Sequence, residues 1–205
     1  MRDRASDHIV KRLSQYICDA NADIMRFTKN RSYVHDTGSE GYISGYIANR
    51  IFSENLLIDD EYCDYVRLEV GVSGHLGEAL ADERTSGRFD IVCFNEGDDP
   101  LLIVEVKRHF SPSGLKADAS RLVNAIKSNG VSVGGTLKGA AMVAITSGWG
   151  IQRTTADVQL EQVEATIRDY ENGIHTWGGV CEMPILIEGD QVPKRVTGFA
   201  VLIKG

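Results

Sequence analysis

Two apolar runs, Arg88–Phe94 (RFDIVCF) and Leu101–Lys107 (LLIVEVK), are separated only by the six residues NEGDDP. Each run has strand length and is rich in β-branched and aromatic residues, and the separator is dense in turn formers. The pair therefore predicts a buried β-hairpin. Such a hairpin has little tolerance for charge, yet it carries Asp90, Glu105 and Lys107. A buried unpaired charge costs several kcal/mol. Either the three face water, or they meet at a site. Side chains alternate along a strand. Ile103, Glu105 and Lys107 then share one face, and Leu102, Val104 and Val106 the other. On the first strand Arg88 and Asp90 share a face, opposite Phe89 and Ile91.

The rest of the chain supplies layers for this hairpin. Ile9, Leu13, Tyr16, Ile17, Ala20, Ile24 and Phe27 repeat at helical spacing and predict an amphipathic helix over 5–28. A second helix is expected over Glu40–Glu54, capped by Ser39, with Ile43, Ile47 and Ile51 on one side. Strands are expected at Tyr65–Val72, Phe89–Phe94, Leu101–Lys107, Ala140–Thr146, Met183–Ile187 and Thr197–Ile203. Further helices are expected over Leu115–Ser128 and Ile151–Tyr170. The run AAMVAIT suits a strand covered on both faces. Trp149 and Trp177 read as loop residues. The expected fold is α/β, a mixed central sheet flanked by helices. No repeat, low-complexity tract or linker divides the 205 residues, so one domain is expected.

Composition narrows the class. Apolar residues make up 42% of the chain and charged residues 25%, as in an ordinary globular protein. No apolar run reaches the roughly 18 residues that span a bilayer. The first residues, MRDRASDHIVKR, contain no apolar signal region. Cys18, Cys63, Cys93 and Cys181 form no CxxC pair, so a zinc knuckle is not expected, and reduced thiols in a cytoplasmic protein are. The formal net charge of −7 is unevenly spread. Between Asp36 and Glu105 there are 16 acidic and 4 basic residues, whereas between Lys107 and Lys138 there are 6 basic residues and one acid. Salt screens charges beyond about 8 Å, so a local basic face can bind phosphate on an acidic protein.

Two carboxylates on neighbouring strands suit a hard cation. Mg²⁺ takes oxygen ligands in an octahedron, usually one or two carboxylates with water and substrate phosphate. Asp90 and Glu105 provide the carboxylates and the Val106 carbonyl a third oxygen, with Mn²⁺ as a substitute ion. Bound metal acidifies water and neutralises charge on a phosphorane, and Lys107 is placed to orient the water or stabilise that charge.

The arrangement Phe89-Asp90 followed by Glu105-Val106-Lys107, in this element order, resembles the PD-(D/E)XK nuclease superfamily, the restriction-endonuclease-like fold. Phe89 stands where the motif name has proline. The resemblance covers roughly residues 39–146, leaving the first helix and the C-terminal helix and strands as additions. It implies metal-dependent hydrolysis of nucleic-acid phosphodiesters, usually DNA, in restriction, repair or phage DNA processing. It also implies a further acidic residue on the helix before the first strand, for which Glu40 is the first choice and Glu54 the second. The helix after the lysine carries Asp118 and Arg121, three apart on one face, as in some members. Arg108, Lys116 and Arg121 are the expected nucleic-acid contacts. A homodimer would suit cleavage of both strands. The other reading is a non-catalytic nucleic-acid-binding or assembly module that retains the fold.

Overall fold

The computed structural model describes residues 3–29, 40–71, 87–108, 112–148, 156–168, 174–185 and 194–205. Among them α1 (Arg4–Phe27) and α2 (Glu40–Ser53) precede a two-residue ladder, β1 (Leu57–Ile58) with β2 (Glu61–Tyr62). Then come β3 (Tyr65–Gly71), β4 (Arg88–Phe94), β5 (Pro100–Lys107), α3 (Pro112–Asn129), a 3-10 turn at Val131–Val133, β6 (Gly139–Gly148), α4 (Ala156–Arg168), β7 (His175–Ile185) and β8 (Lys194–Lys204). Strands β3 to β8 form one six-stranded sheet in the order β3-β4-β5-β6-β8-β7. All neighbours are antiparallel except β5 and β6. That parallel pair needs a crossover, and α3 provides it.

The mixed α/β sheet flanked by helices is the architecture the sequence predicts. Helices α1 and α2 cover one face, packing Ile9, Leu13, Ile17, Ile43, Ile47 and Ile51 against Ile91, Leu102, Val104, Val143 and Leu202. Helices α3 and α4 cover the other, with Ala119, Leu122, Val123, Ile126 and Ile167 against Val92, Ile103, Met142, Phe199 and Val201. Ala140–Ile145 is accordingly buried throughout, because successive side chains enter opposite layers. Each large aliphatic side chain buried this way stabilises the fold by about 1.5–3 kcal/mol.

Helix α1 starts where Asp3 caps it. Asp3 Oδ1 accepts from Ala5 N at 3.1 Å, and Ser6 Oγ donates to Oδ2 at 2.6 Å. Lys204 Nζ at the end of β8 lies 3.3 Å from the same carboxylate, tying the helix start to the sheet. The middle of α1 presses directly onto β8. A Cβ at Gly198 would lie 2.5 Å from Ile17 Cγ2, 2.8 Å from the Ser14 carbonyl oxygen and 3.0 Å from Cys18 Sγ. The carbonyl belongs to helix backbone and cannot swing away. Gly198→Val is therefore expected to lower stability by about 1–3 kcal/mol, as overpacking that forces a backbone shift does. Urea denaturation checks it, and an unchanged midpoint would mean that α1 is not seated on this glycine.

Three expectations need correction. Strand β7 begins at His175 rather than Met183, and Trp177 is a strand residue and not a loop residue. The glycines hid it: Gly178 lies against the side-chain ends of Leu160 and Glu164, and at Gly179 a Cβ would stand 2.8 Å from the Val10 carbonyl oxygen, too close for a side chain. The short β1–β2 ladder was not foreseen. Phe89 and Ile91 do not share a face, since Phe89 joins the α3 layer and Ile91 the α1 layer. Ser39, Val72, Trp149, 151–155, 169–170 and 186–187 lie outside the described residues.

Candidate active site

The split between Phe89 and Ile91 has a local cause. Strand β4 pairs with β5 from Ile91↔Val104 to Phe94↔Pro100, and with β3 as far as Gly71↔Arg88. At Asp90 it leaves β5 while still held by β3. The Val106 N–H donates to Asp90 Oδ2 at 2.7 Å, so a side chain takes over where the backbone ladder stops. On the other side, Glu69 adopts a left-handed φ of 53°, and the β3–β4 ladder skips it. The strand twists between these two irregularities. The β3–β4 register is unchanged on both sides of Glu69, so the irregularity is a local twist and not an inserted residue.

Continuing the β4–β5 register by one residue sets Asp90 opposite Glu105. Glu105 is only 1% exposed and therefore must be paired or protonated. Arg121 Nη2, from α3, lies 2.6 Å from Glu105 Oε1 and 2.7 Å from Asp118 Oδ1. Lys107 Nζ lies 3.1 Å from Asp118 Oδ2 and 3.8 Å from Glu105 Oε2. Glu105, Arg121, Asp118 and Lys107 thus close a ring of alternating charge, and Asp90 stands at its edge. The Arg121 guanidinium also lies 5.7 Å from the centre of the Phe89 ring, a cation–π contact.

Three carboxylates face two cations here, so the cluster is short of positive charge. Burial pushes the Glu105 carboxyl up to about 8, and the neighbouring Asp90 charge adds to this against the pull of Arg121 and Lys107. Burial likewise raises Asp90, although the Val106 N–H and Lys107 pull it down. Burial works against the Lys107 ammonium, but Asp118, Glu105 and Asp90 outweigh it and raise Lys107 above its ordinary value. The deficit can be met by a proton or by a cation. Among the described residues no group of three or more His, Cys, Asp or Glu side chains is arranged to hold a metal ion. A pair of carboxylates with a backbone carbonyl is still a donor set that Mg²⁺ accepts, and the like charges of Asp90 and Glu105 are what such an ion would relieve.

The other sequence-predicted residues fall as follows. Glu54 is engaged elsewhere: Tyr16 Oη donates to its Oε2 at 2.8 Å, Arg12 lies 3.4 Å away, and Arg50 contacts Oε1. Helices α1 and α2 run antiparallel, since Arg12 meets Glu54 while Asp19 lies 3.5 Å from Arg50. Because α1 begins beside Lys204, at the starting edge of β6, α2 points its Glu40 end toward the Glu105 end of the sheet. Glu40 is exposed on the helix that covers the opposite face, and the structure does not bring it into a three-acid group with Asp90 and Glu105. Lys116 is exposed on α3 and Arg108 half-buried after β5. Arg121 directs its Nη2 to Glu105 and Asp118, while its Nε is buried without a hydrogen-bond partner. Sequence reasoning placed Asp118 and Arg121 together, but not their bridging of Lys107 and Glu105. The i, i+3 spacing held half of that signal, and the crossing of α3 over the end of β5 holds the rest.

No protein-family model, no curated protein and no solved structure matches this chain.

Proposed function

We propose that this protein is a metal-dependent nuclease that hydrolyses nucleic-acid phosphodiester bonds, with DNA as the first substrate to test. The observation that carries this reading is the meeting of Asp90 and Glu105 where β4 parts from β5, with Lys107 beside them. A sheet gains no stability from such a cluster, because like carboxylates repel and the buried one is costly to ionise. Sites that trade stability in this way are commonly functional.

Asp90, Glu105 and the Val106 carbonyl would hold the Mg²⁺, which supplies Lewis acidity toward a phosphoryl oxygen and an acidified water. The chain's own residues do the rest. The Val106 N–H fixes the Asp90 carboxylate by its Oδ2, which limits the reorganisation needed at the site. Arg121 holds Glu105 by Oε1 and so keeps its other oxygen turned toward Lys107. Lys107 stays protonated, and its ammonium can offset charge that builds on a phosphate. Asp118 sets where that ammonium rests.

One observation favours a second reading. The ring of Glu105, Arg121, Asp118 and Lys107 satisfies much of its own charge, as a structural ion-pair network would in a non-catalytic nucleic-acid-binding module. Incubation with single- and double-stranded DNA and RNA in Mg²⁺, Mn²⁺ or EDTA separates the two. The nuclease reading expects cleavage in either metal and none in EDTA. It also expects affinity to fall steeply between about 50 and 200 mM salt, since each neutralised phosphate releases counterions. Binding without cleavage supports the module, and neither binding nor cleavage overturns both.

A further inference from the structure

Cys18 and Cys181 are far apart in sequence, yet α1 and β7 bring them together. Cys18 Sγ lies 3.1 Å from the carbonyl oxygen of Cys181, and Cys181 Sγ lies 3.2 Å from Gln15 Oε1, one turn earlier on the same helix face. Room for the Cys18 sulfur exists because the strand neighbour of Cys181 is Gly198, where a Cβ would stand 3.0 Å from that sulfur. The proximity of the two thiols also helps burial to raise the Cys18 thiol above its ordinary range. Cys18 is buried, while Cys181 is partly exposed on the last strand of the sheet. One thiol is thus open to a reagent and the other waits behind it.

We propose that Cys18 and Cys181 form a reversible disulfide that clamps α1 to the edge strand β7. The oxidant is a small-molecule disulfide. The Cys181 thiolate attacks one of its sulfurs, a Cys181–S bond forms, and the other half leaves as a thiolate. The Cys18 sulfur, having given up its proton, then attacks the Cys181 sulfur, forms the protein S–S bond and expels the second half as a thiolate. Both leaving thiolates take up the protons the protein has released. Two protein thiols are oxidised and one small disulfide is reduced to two thiols. Burial slows deprotonation of Cys18, while its fixed position beside Cys181 raises its effective concentration. The bond needs the sulfurs to close to about 2.05 Å. It involves none of the residues around Asp90.

Cys63 and Cys93 also lie thiol to thiol, but both are buried, so neither is open to start exchange and the pair serves as an internal control. The full chain is incubated with excess oxidised glutathione, free thiols are alkylated under denaturing conditions, and unreduced peptides are mapped by mass spectrometry. The expected result is a loss of two hydrogens, a Cys18–Cys181 linked peptide, and alkylated Cys63 and Cys93. Because the bond closes a loop between residues 163 apart, the melting midpoint should rise by about 5–15 °C, return with dithiothreitol, and not move in Cys181→Ser. Cys181→Ser serves as the main variant because its site is partly open and tolerates the change, whereas Cys18→Ser sits in the core. A glutathione adduct on Cys181 that never resolves, a link joining Cys18 or Cys181 to Cys63 or Cys93, or no oxidation of Cys18 and Cys181 would each overturn the proposal.

Discussion

Asp90→Asn should reduce metal-dependent cleavage by at least about a hundredfold, the scale seen when one charge-stabilising group is removed from an active site. Asparagine keeps the shape of the side chain, and its amide oxygen can still accept from the Val106 N–H, so the end of the β4–β5 ladder should hold. What disappears is the negative charge. Glu105→Gln should act in the same way, because Gln can still accept from Arg121 through its oxygen. Lys107→Ala should lose cleavage yet keep the rise in melting temperature that Mg²⁺ produces by binding the folded state alone. The measurements are initial cleavage rates and thermal melts with and without Mg²⁺. Wild-type cleavage by Asp90→Asn, or equal Mg²⁺ stabilisation of both proteins, would reduce this cluster to a structural ion-pair ring.

The metal-free protein should lose about 2–4 kcal/mol of stability as pH rises from 5 to 8.5. The sign follows from Glu105. Its carboxyl, ordinarily near 4.5, is pushed up to about 8 in the folded chain. Between those values the folded state keeps a proton that the unfolded state has released. The contribution is complete below the ordinary value and lost as pH climbs through the raised one. Asp90 is shifted in the same direction and adds to the trend. Most other shifted groups act outside this window, but the Cys63 thiol, lowered by its hydrogen bond with Cys93, adds some stability toward the alkaline end. Asp3, Asp60 and Glu61 are lowered, so their contributions fade only as pH falls below the carboxylate range. Lys107 and Lys138 are raised, so theirs persist until well above 9. Urea titrations at pH 5.5 and 8.5 give the comparison. Glu105→Gln should flatten the profile and be the more stable protein at pH 8.5. Mg²⁺ should also flatten it, since an ion at the two carboxylates displaces the proton. A wild-type midpoint that rises with pH over this window would show that Glu105 ionises freely and is not held as the buried geometry requires.

The residues that matter most for these two results were legible before any coordinates, for a physical reason. Charge inside an apolar strand is costly, so Asp90, Glu105 and Lys107 stood out against Phe89, Ile91, Val104 and Val106. The helices α1 and α2 were equally legible, because an apolar side chain every three or four residues has one reading. Strand β7 was not. Its signal depends on side chains, and at Gly178 and Gly179 there are none; at Gly179 the backbone of α1 occupies that space. The proposed role of Glu40 rests on resemblance to a family, and its position depends on how a helix end is aimed, which periodicity does not encode.

The sequence by itself determined the alternation of helix and strand, the α/β class, and the three charged residues on the hairpin. These follow from side-chain period and from the cost of burying charge, both local properties of the chain. Only the tertiary structure decided the strand order, with β8 between β6 and β7. It also decided that β4 twists away at Asp90 and puts Phe89 under Arg121, that α3 lays Arg121 and Asp118 across Glu105 and Lys107, and that Cys18 meets Cys181. Each of these joins residues far apart in the chain, where the deciding quantity is the space left by other elements. A pattern of neighbours along a sequence carries no measure of that space.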